Sequence, residues 1–221
     1  MRRLAVVVII TGIALVLIGG YQWFSSKKAQ QETMHEARTL LNKKNPETNL
    51  PAFTFDKKKP FTNPPFTDRK GNSEPADSPD IDTTFEPEFG EIIGILLIPD
   101  LDAELPIVEG TDADDLEKGV GHYTGTAFPT QHNQIVLSGH RDTVFRRTGE
   151  LEIGDLLIVQ LPYGNYSYEI TDTEVVDADD RTVIVPTAPQ EVLTLTTCYP
   201  FSFIGNAPDR YIITALPVRK N

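Results

Sequence analysis

The chain has 221 residues, enough for one domain with extensions or for two small domains. It is acidic, with 32 Asp+Glu against 20 Lys+Arg, and the acidity is local: Phe89–Asn221 carries 21 acidic and 8 basic residues, Met1–Glu88 carries 11 and 12. No basic stripe marks the acidic part, so no nucleic-acid partner is expected, and a single cysteine, Cys198, excludes an internal disulfide.

Arg2 and Arg3 precede an uncharged run of 17 residues, Leu4–Gly20, and Tyr21, Trp23, Phe24, Lys27 and Lys28 follow it. About 17 to 25 apolar residues cross a bilayer as a helix, with aromatic residues at its interface. No small-x-small cleavage site follows the run, so residues 1–28 are expected to be an uncleaved, single-pass anchor rather than a signal peptide. The flanking charges are nearly balanced. The long C-terminal part after one N-terminal span is nonetheless expected outside the cytoplasm.

Residues 30–45 read as a short helix ending before Pro46, with His35 as a solvated side chain. From Pro46 to Pro87 eight prolines and little apolar periodicity predict an extended or disordered spacer, so that residues 29–88 connect the anchor to a domain at 89–221.

Beyond Phe89 the pattern becomes that of short strands. Gly90–Pro99, Glu104–Val108, Gly121–Pro129, Gln134–His140, Asp155–Leu161, Tyr166–Val176, Glu191–Cys198 and Arg210–Leu216 are apolar or alternating and end at Gly, Pro or polar residues. A short helix is expected over 111–118, with Thr111 as its N-cap and Gly119 past its end. Eight strands and one or two short helices predict a mostly β fold, a barrel or a sandwich.

Three residues at strand ends carry chemistry. Cys198 ends Leu193-Thr194-Leu195-Thr196-Thr197, and Pro200 follows it. A lone cysteine is commonly a small buried hydrophobe. As a thiolate it is a nucleophile. His140 ends an upstream strand and can hold a proton and return it to a leaving amine. Arg210 starts the last strand, stays cationic, and can stabilise an oxyanion. They are 58 and 12 residues apart, so only the fold can assemble them.

Thr194-Leu195-Thr196-Thr197-Cys198 resembles the TLxTC signature of sortases. Ser138-Gly139-His140 resembles that family's histidine motif, and Arg210 falls where the family places its arginine. The resemblance covers about Phe89–Val218. It implies an eight-stranded sortase β-barrel and a membrane-anchored cysteine transpeptidase that recognises a Leu-Pro-x-Thr-Gly-like sorting signal, with Ala often replacing Gly in class D. Cys198 would form a thioester with the signal's Thr carbonyl. His140 would protonate the departing amine and activate the amino group of a peptidoglycan precursor. Arg210 would hold the substrate backbone or the oxyanion, and Thr197 would hydrogen-bond the substrate or the oxyanion.

Tyr199-Pro200, the short connection to Asp209 and the single span resemble class D. The Asp-Pro-aromatic lid and second span usual in pilin-polymerising class C enzymes are not expected here. A membrane-tethered cysteine hydrolase using water, a pilin-polymerising class C-like sortase, and a non-catalytic wall-facing domain with an inert Cys198 remain the alternatives. Acids at 102–117 and 177–180 would offer oxygen ligands to calcium, but no spacing among them forms an EF-hand loop, so no metal or cofactor is expected. His122 reads as a strand-start residue and His132 as a loop residue. Asp142 would orient His140 or Arg141, or stand as a surface carboxylate.

Overall fold

The computed structural model describes residues 2–44, 85–202 and 205–218. The Pro-rich stretch of the expected spacer, through residue 84, lies outside them. Eight strands form a closed barrel: β1 (Ile92–Ile98), β2 (Ala103–Glu109), β3 (Val120–His122), β4 (Gln134–Ser138), β5 (Leu156–Leu161), β6 (Gly164–Asp177), β7 (Val192–Tyr199) and β8 (Asp209–Pro217). Around the barrel they run β1-β2-β3-β4-β7-β8-β6-β5, so β5 closes onto β1. The β2–β3 and β4–β7 pairs are parallel; the other pairs are antiparallel.

Alternation along each strand sets the inside of the barrel. Ile135 and Leu137 of β4, Leu193 and Leu195 of β7, and Ile213 and Ala215 of β8 share one buried core with Phe145 and Tyr168. Each fully buried Leu or Ile contributes roughly 1.5–3 kcal/mol. β1 behaves differently. Ile93, Leu96 and Ile98 face that core, whereas Ile92, Ile95 and Leu97 join Val108 and Ile158 in a second buried cluster. A strand buried on both faces reads as a continuous apolar run, which is how Ile92–Ile98 reads.

The cover over the second face is helical. α1 runs unbroken from Arg2 to Lys44, so the expected anchor and the expected short helix are one element. Met34, Ala37 and Leu41, spaced by three and four, lie on one face of α1 and pack on the outer cluster, where Ala37 is fully buried. Arg38 pairs with Glu104 of β2 beside them. The membrane span expected in residues 1–28 is not shown. Among the described residues no helix is long and apolar enough to cross a membrane, and the side chains of residues 2–8, 15, 18, 22–24 and 26 lie outside that set.

Two local expectations are corrected. β3 has three residues rather than nine, because the chain turns at Thr124–Gly125 just after His122: Thr126 N–H donates to Tyr123 O at 3.0 Å and Gly125 takes φ 89°. α2 (Ala113–Lys118) is capped at Asp112, not at Thr111, and no side-chain hydrogen bond closes that cap.

The docked helix makes a prediction. Ala37→Arg places a bulky charge in the packed α1–β1 interface and is expected to cost about 2 kcal/mol. The thermal midpoint should fall by about 4–8 °C. Glu36→Arg, at the exposed neighbouring position, should leave the midpoint unchanged.

Candidate active site

The site grows from β7. Leu193 and Leu195 point into the core, so Thr194, Thr196 and Cys198 point out of the barrel. β8 runs antiparallel to β7, and its register sets Arg210 directly opposite Cys198. Directly opposed residues in such a pair project their side chains to the same face. β4 runs parallel to β7, with Ser138 beside Thr196. The C-terminal end of β4 therefore reaches the same rim as the C-terminal end of β7, and His140, two residues past Ser138, emerges there. The topology thus brings the three expected residues to one rim. His140, Cys198 and Arg210 are each half-buried, so a substrate can reach them.

The backbone around His140 is held on several sides. Gly139 N–H donates to Thr196 O at 3.1 Å. Thr197 Oγ1 donates to Gly139 O at 2.7 Å, from a side chain that is only 5% exposed. Thr197 thus ties β7 to the histidine segment through its hydroxyl. His140 O accepts from Phe145 N at 3.0 Å, in a turn that plants the Phe145 ring in the core. That ring excludes any side chain at position 139: a Cβ there would lie 2.6 Å from Phe145 Cδ2.

The β7–β8 connection carries an aromatic cluster. Tyr199, Phe201 and Tyr211 pack on one another with ring centroids 5.4–6.1 Å apart. Arg210 Nη1 donates to Ala207 O at 3.4 Å and to Asp209 O at 3.0 Å, which orients the guanidinium plane from its own loop. The β6–β7 connection stands over the outer face of β4 and β7. Gln134, buried on β4, holds it there: Nε2 donates to Val183 O (2.8 Å) and to Thr194 Oγ1 (3.0 Å), while Oε1 accepts from Val185 N (2.9 Å). Glu191, at the start of β7, accepts from Tyr168 Oη (2.8 Å) and from the backbone of Thr130 (2.7 Å) and His132 (3.4 Å). Burial, with the Glu191 carboxylate beside it, pushes the Tyr168 phenol far above its usual range, so the hydroxyl stays a donor.

His122 is not an ordinary strand-start residue. It lies opposite Glu109 in the parallel β2–β3 pair and is 1% exposed. Nδ1 is 2.6 Å from Glu109 Oε2, and Nε2 is 3.1 Å from Ala127 O. A carbonyl only accepts, so Nε2 carries a proton. Thr124 Oγ1 donates to the other carboxylate oxygen at 2.7 Å, and Phe128 stacks on the imidazole with centroids 4.2 Å apart. Sequence reasoning missed this network, because its members meet only through the β2–β3 pairing. Asp142 is exposed at the surface. Among the described residues no three His, Cys, Asp or Glu side chains converge as metal ligands would.

A family model described as the sortase domain matches residues 96–218. Sortase D of Bacillus subtilis (strain 168) is 47% identical over 206 residues, which is 93% of each chain. Among solved structures, a Clostridium perfringens sortase D5 transpeptidase is 28% identical with a TM-score of 0.56, over 62% of this chain and 85% of that one. A Clostridium perfringens sortase C solved with the C-terminal cell wall sorting motif is 27% identical with a TM-score of 0.55, over 60% and 74%.

The Thr197 tie is testable by itself. Thr197→Val keeps the shape and removes the donor, and it should cost about 1 kcal/mol in denaturant unfolding. Thr171→Val, which removes a longer and exposed bond to Thr214 O (3.3 Å), should cost much less.

Proposed function

The chain belongs to the sortase family of cysteine transpeptidases, and we propose that Cys198, His140 and Arg210 are its reacting residues. The observation that carries this reading is the β7–β8 register, which sets Arg210 opposite Cys198 at the rim where the strand leading to His140 also ends.

Cys198 Sγ attacks the Thr carbonyl carbon of a Leu-Pro-x-Thr-Gly/Ala-like signal. The S–C bond forms as the carbonyl becomes an oxyanion, which Arg210 stabilises. Collapse breaks the C–N bond to the next residue, and His140 gives its proton to the departing amine. The product is a thioester on Cys198. In the second half His140 takes a proton from an incoming amine, that nitrogen attacks the thioester carbon, and the thiolate leaves with an amide formed. A peptidoglycan precursor amine is the acceptor. Thr197 serves this scheme from behind, by fixing the backbone before His140.

The same reading gives the protein its place in the cell. Residues 1–28 act as a single-pass membrane anchor, residues 29–88 connect, and residues 89–221 form an extracellular catalytic domain. Support comes from the uncharged run 4–20 and from Ile9, Ile10, Ile13, Val16, Leu17 and Tyr21, which the barrel leaves exposed. Class D character is supported by the identity to Sortase D. The Clostridium perfringens sortase C solved with a sorting motif supports a peptide signal as the substrate.

Incubation with a sorting peptide and an amine nucleophile should yield a ligated product; hydrolysis without ligation at saturating amine would favour a cysteine hydrolase instead. Cys198→Ala should abolish turnover, and residual turnover in that variant would remove the thiol from the chemistry. Arg210→Lys should lower kcat by about 100-fold, because an ammonium cannot reproduce the fork of donors. A wild-type kcat in that variant would exclude Arg210 from the site.

A further inference from the structure

Arg141 directly follows His140 in the chain, and its guanidinium crosses to the β7–β8 connection. Nη1 donates to Pro200 O at 3.2 Å and Nη2 to Gly205 O at 2.7 Å. Pro200 lies two residues past Cys198, and Gly205 lies five residues before Arg210. One planar fork therefore grips the two arms of the connection whose roots carry the thiol and the second guanidinium. The backbone of the same residue continues from His140, whose carbonyl is held by Phe145 N–H.

A second contact joins the same two segments. The Phe201 ring lies against Gly149, where a Cβ would stand 2.6 Å from Phe201 Cε2. Phe201 in turn packs on Tyr199 and Tyr211. The segment after His140 and the connection after Cys198 thus meet through a polar contact and an aromatic one.

We propose that Arg141 is a positioning residue for the transfer reaction, setting the distance between His140 and the Cys198–Arg210 pair. The inference rests on the reading of those three residues as the reacting set. Its physical basis is the shape of the group. Two carbonyls on opposite arms of a loop need donors on two nitrogens held in one plane, and a guanidinium supplies them; a lysine ammonium is a single point on a flexible stem. Asp142, the neighbour that the sequence offers as a partner for Arg141 or His140, is exposed, while the carbonyls of Pro200 and Gly205 receive the fork.

Cys198 is the only thiol in the chain, so its alkylation reports on its surroundings without any substrate. The experiment measures the pH profile of iodoacetamide reaction for the full-length protein in detergent micelles, together with the thermal midpoint. The variants are Arg141→Ala, Arg141→Lys and His140→Ala. His140→Ala should displace the profile by removing the thiol's proton partner. Both Arg141 variants should displace it in the same direction, changing the rate at pH 7 by about threefold or more. A profile that overlays the wild type in either Arg141 variant, with His140→Ala displaced, overturns the positioning role and leaves the site reading intact, even if the midpoint falls. Should Arg141→Ala fail to fold, Arg141→Lys decides alone. An unchanged profile in His140→Ala removes the site reading, and the inference with it.

Discussion

The proposed chemistry of this barrel depends on β7 having a parallel neighbour on one side and an antiparallel neighbour on the other. Parallel pairing with β4 puts two C-terminal strand ends side by side. Antiparallel pairing with β8 adds an N-terminal strand end to the same rim. Nothing in the local sequence relates position 140 to position 198 or 210; the ladders do. Because side chains alternate, the register also decides which face they share. A slip of one residue in β7–β8 would keep the barrel closed and send Arg210 to the other side of the sheet.

The rest of the fold reads as support for that rim. Inward-facing Leu and Ile side chains of β4, β7 and β8 pack one core, which fixes the registers through burial. The connections are then tied down by polar groups whose partners are far away in sequence. Gln134 holds the β6–β7 connection to β4, Glu191 holds the β3–β4 connection to β7, and Arg141 holds the β7–β8 connection to the histidine segment. Each is a side chain bonded to backbone atoms, so each specifies where a loop sits and adds only about 1 kcal/mol to stability. On the opposite wall, α1 covers the outer face of β1, so the helical segment preceding the barrel is part of its packing.

Much of this was legible in the sequence. The eight strands stand out because alternation and Gly or Pro boundaries survive in nearly every one, and Cys198, His140 and Arg210 each fall where an apolar run meets a loop. The length of β3 was not legible: Thr124 to Phe128 carries strand-compatible residues, but their hydroxyl and ring groups are drawn to the buried Glu109–His122 pair, which appears only once β2 and β3 run parallel. The docking of α1 was hidden for a related reason. Its contact stripe is Met34, Ala37 and Leu41 in a polar setting, too sparse to signal burial, while the apolar run of β1 signalled a second buried face without saying what covers it. The bond from Thr197 to Gly139 O was not legible either, because it forms only once β4 and β7 run side by side.

The proposed two-step transfer requires the thiol of Cys198 as its nucleophile. Intact-mass and peptide-mapping analysis of the protein during turnover of a sorting peptide tests it most directly. An acyl group carried on Cys198 as a thioester should accumulate without an amine and disappear into ligated product when an amine is added. An acyl group mapped to any other residue, or turnover to ligated product with no acyl group on Cys198, would contradict it.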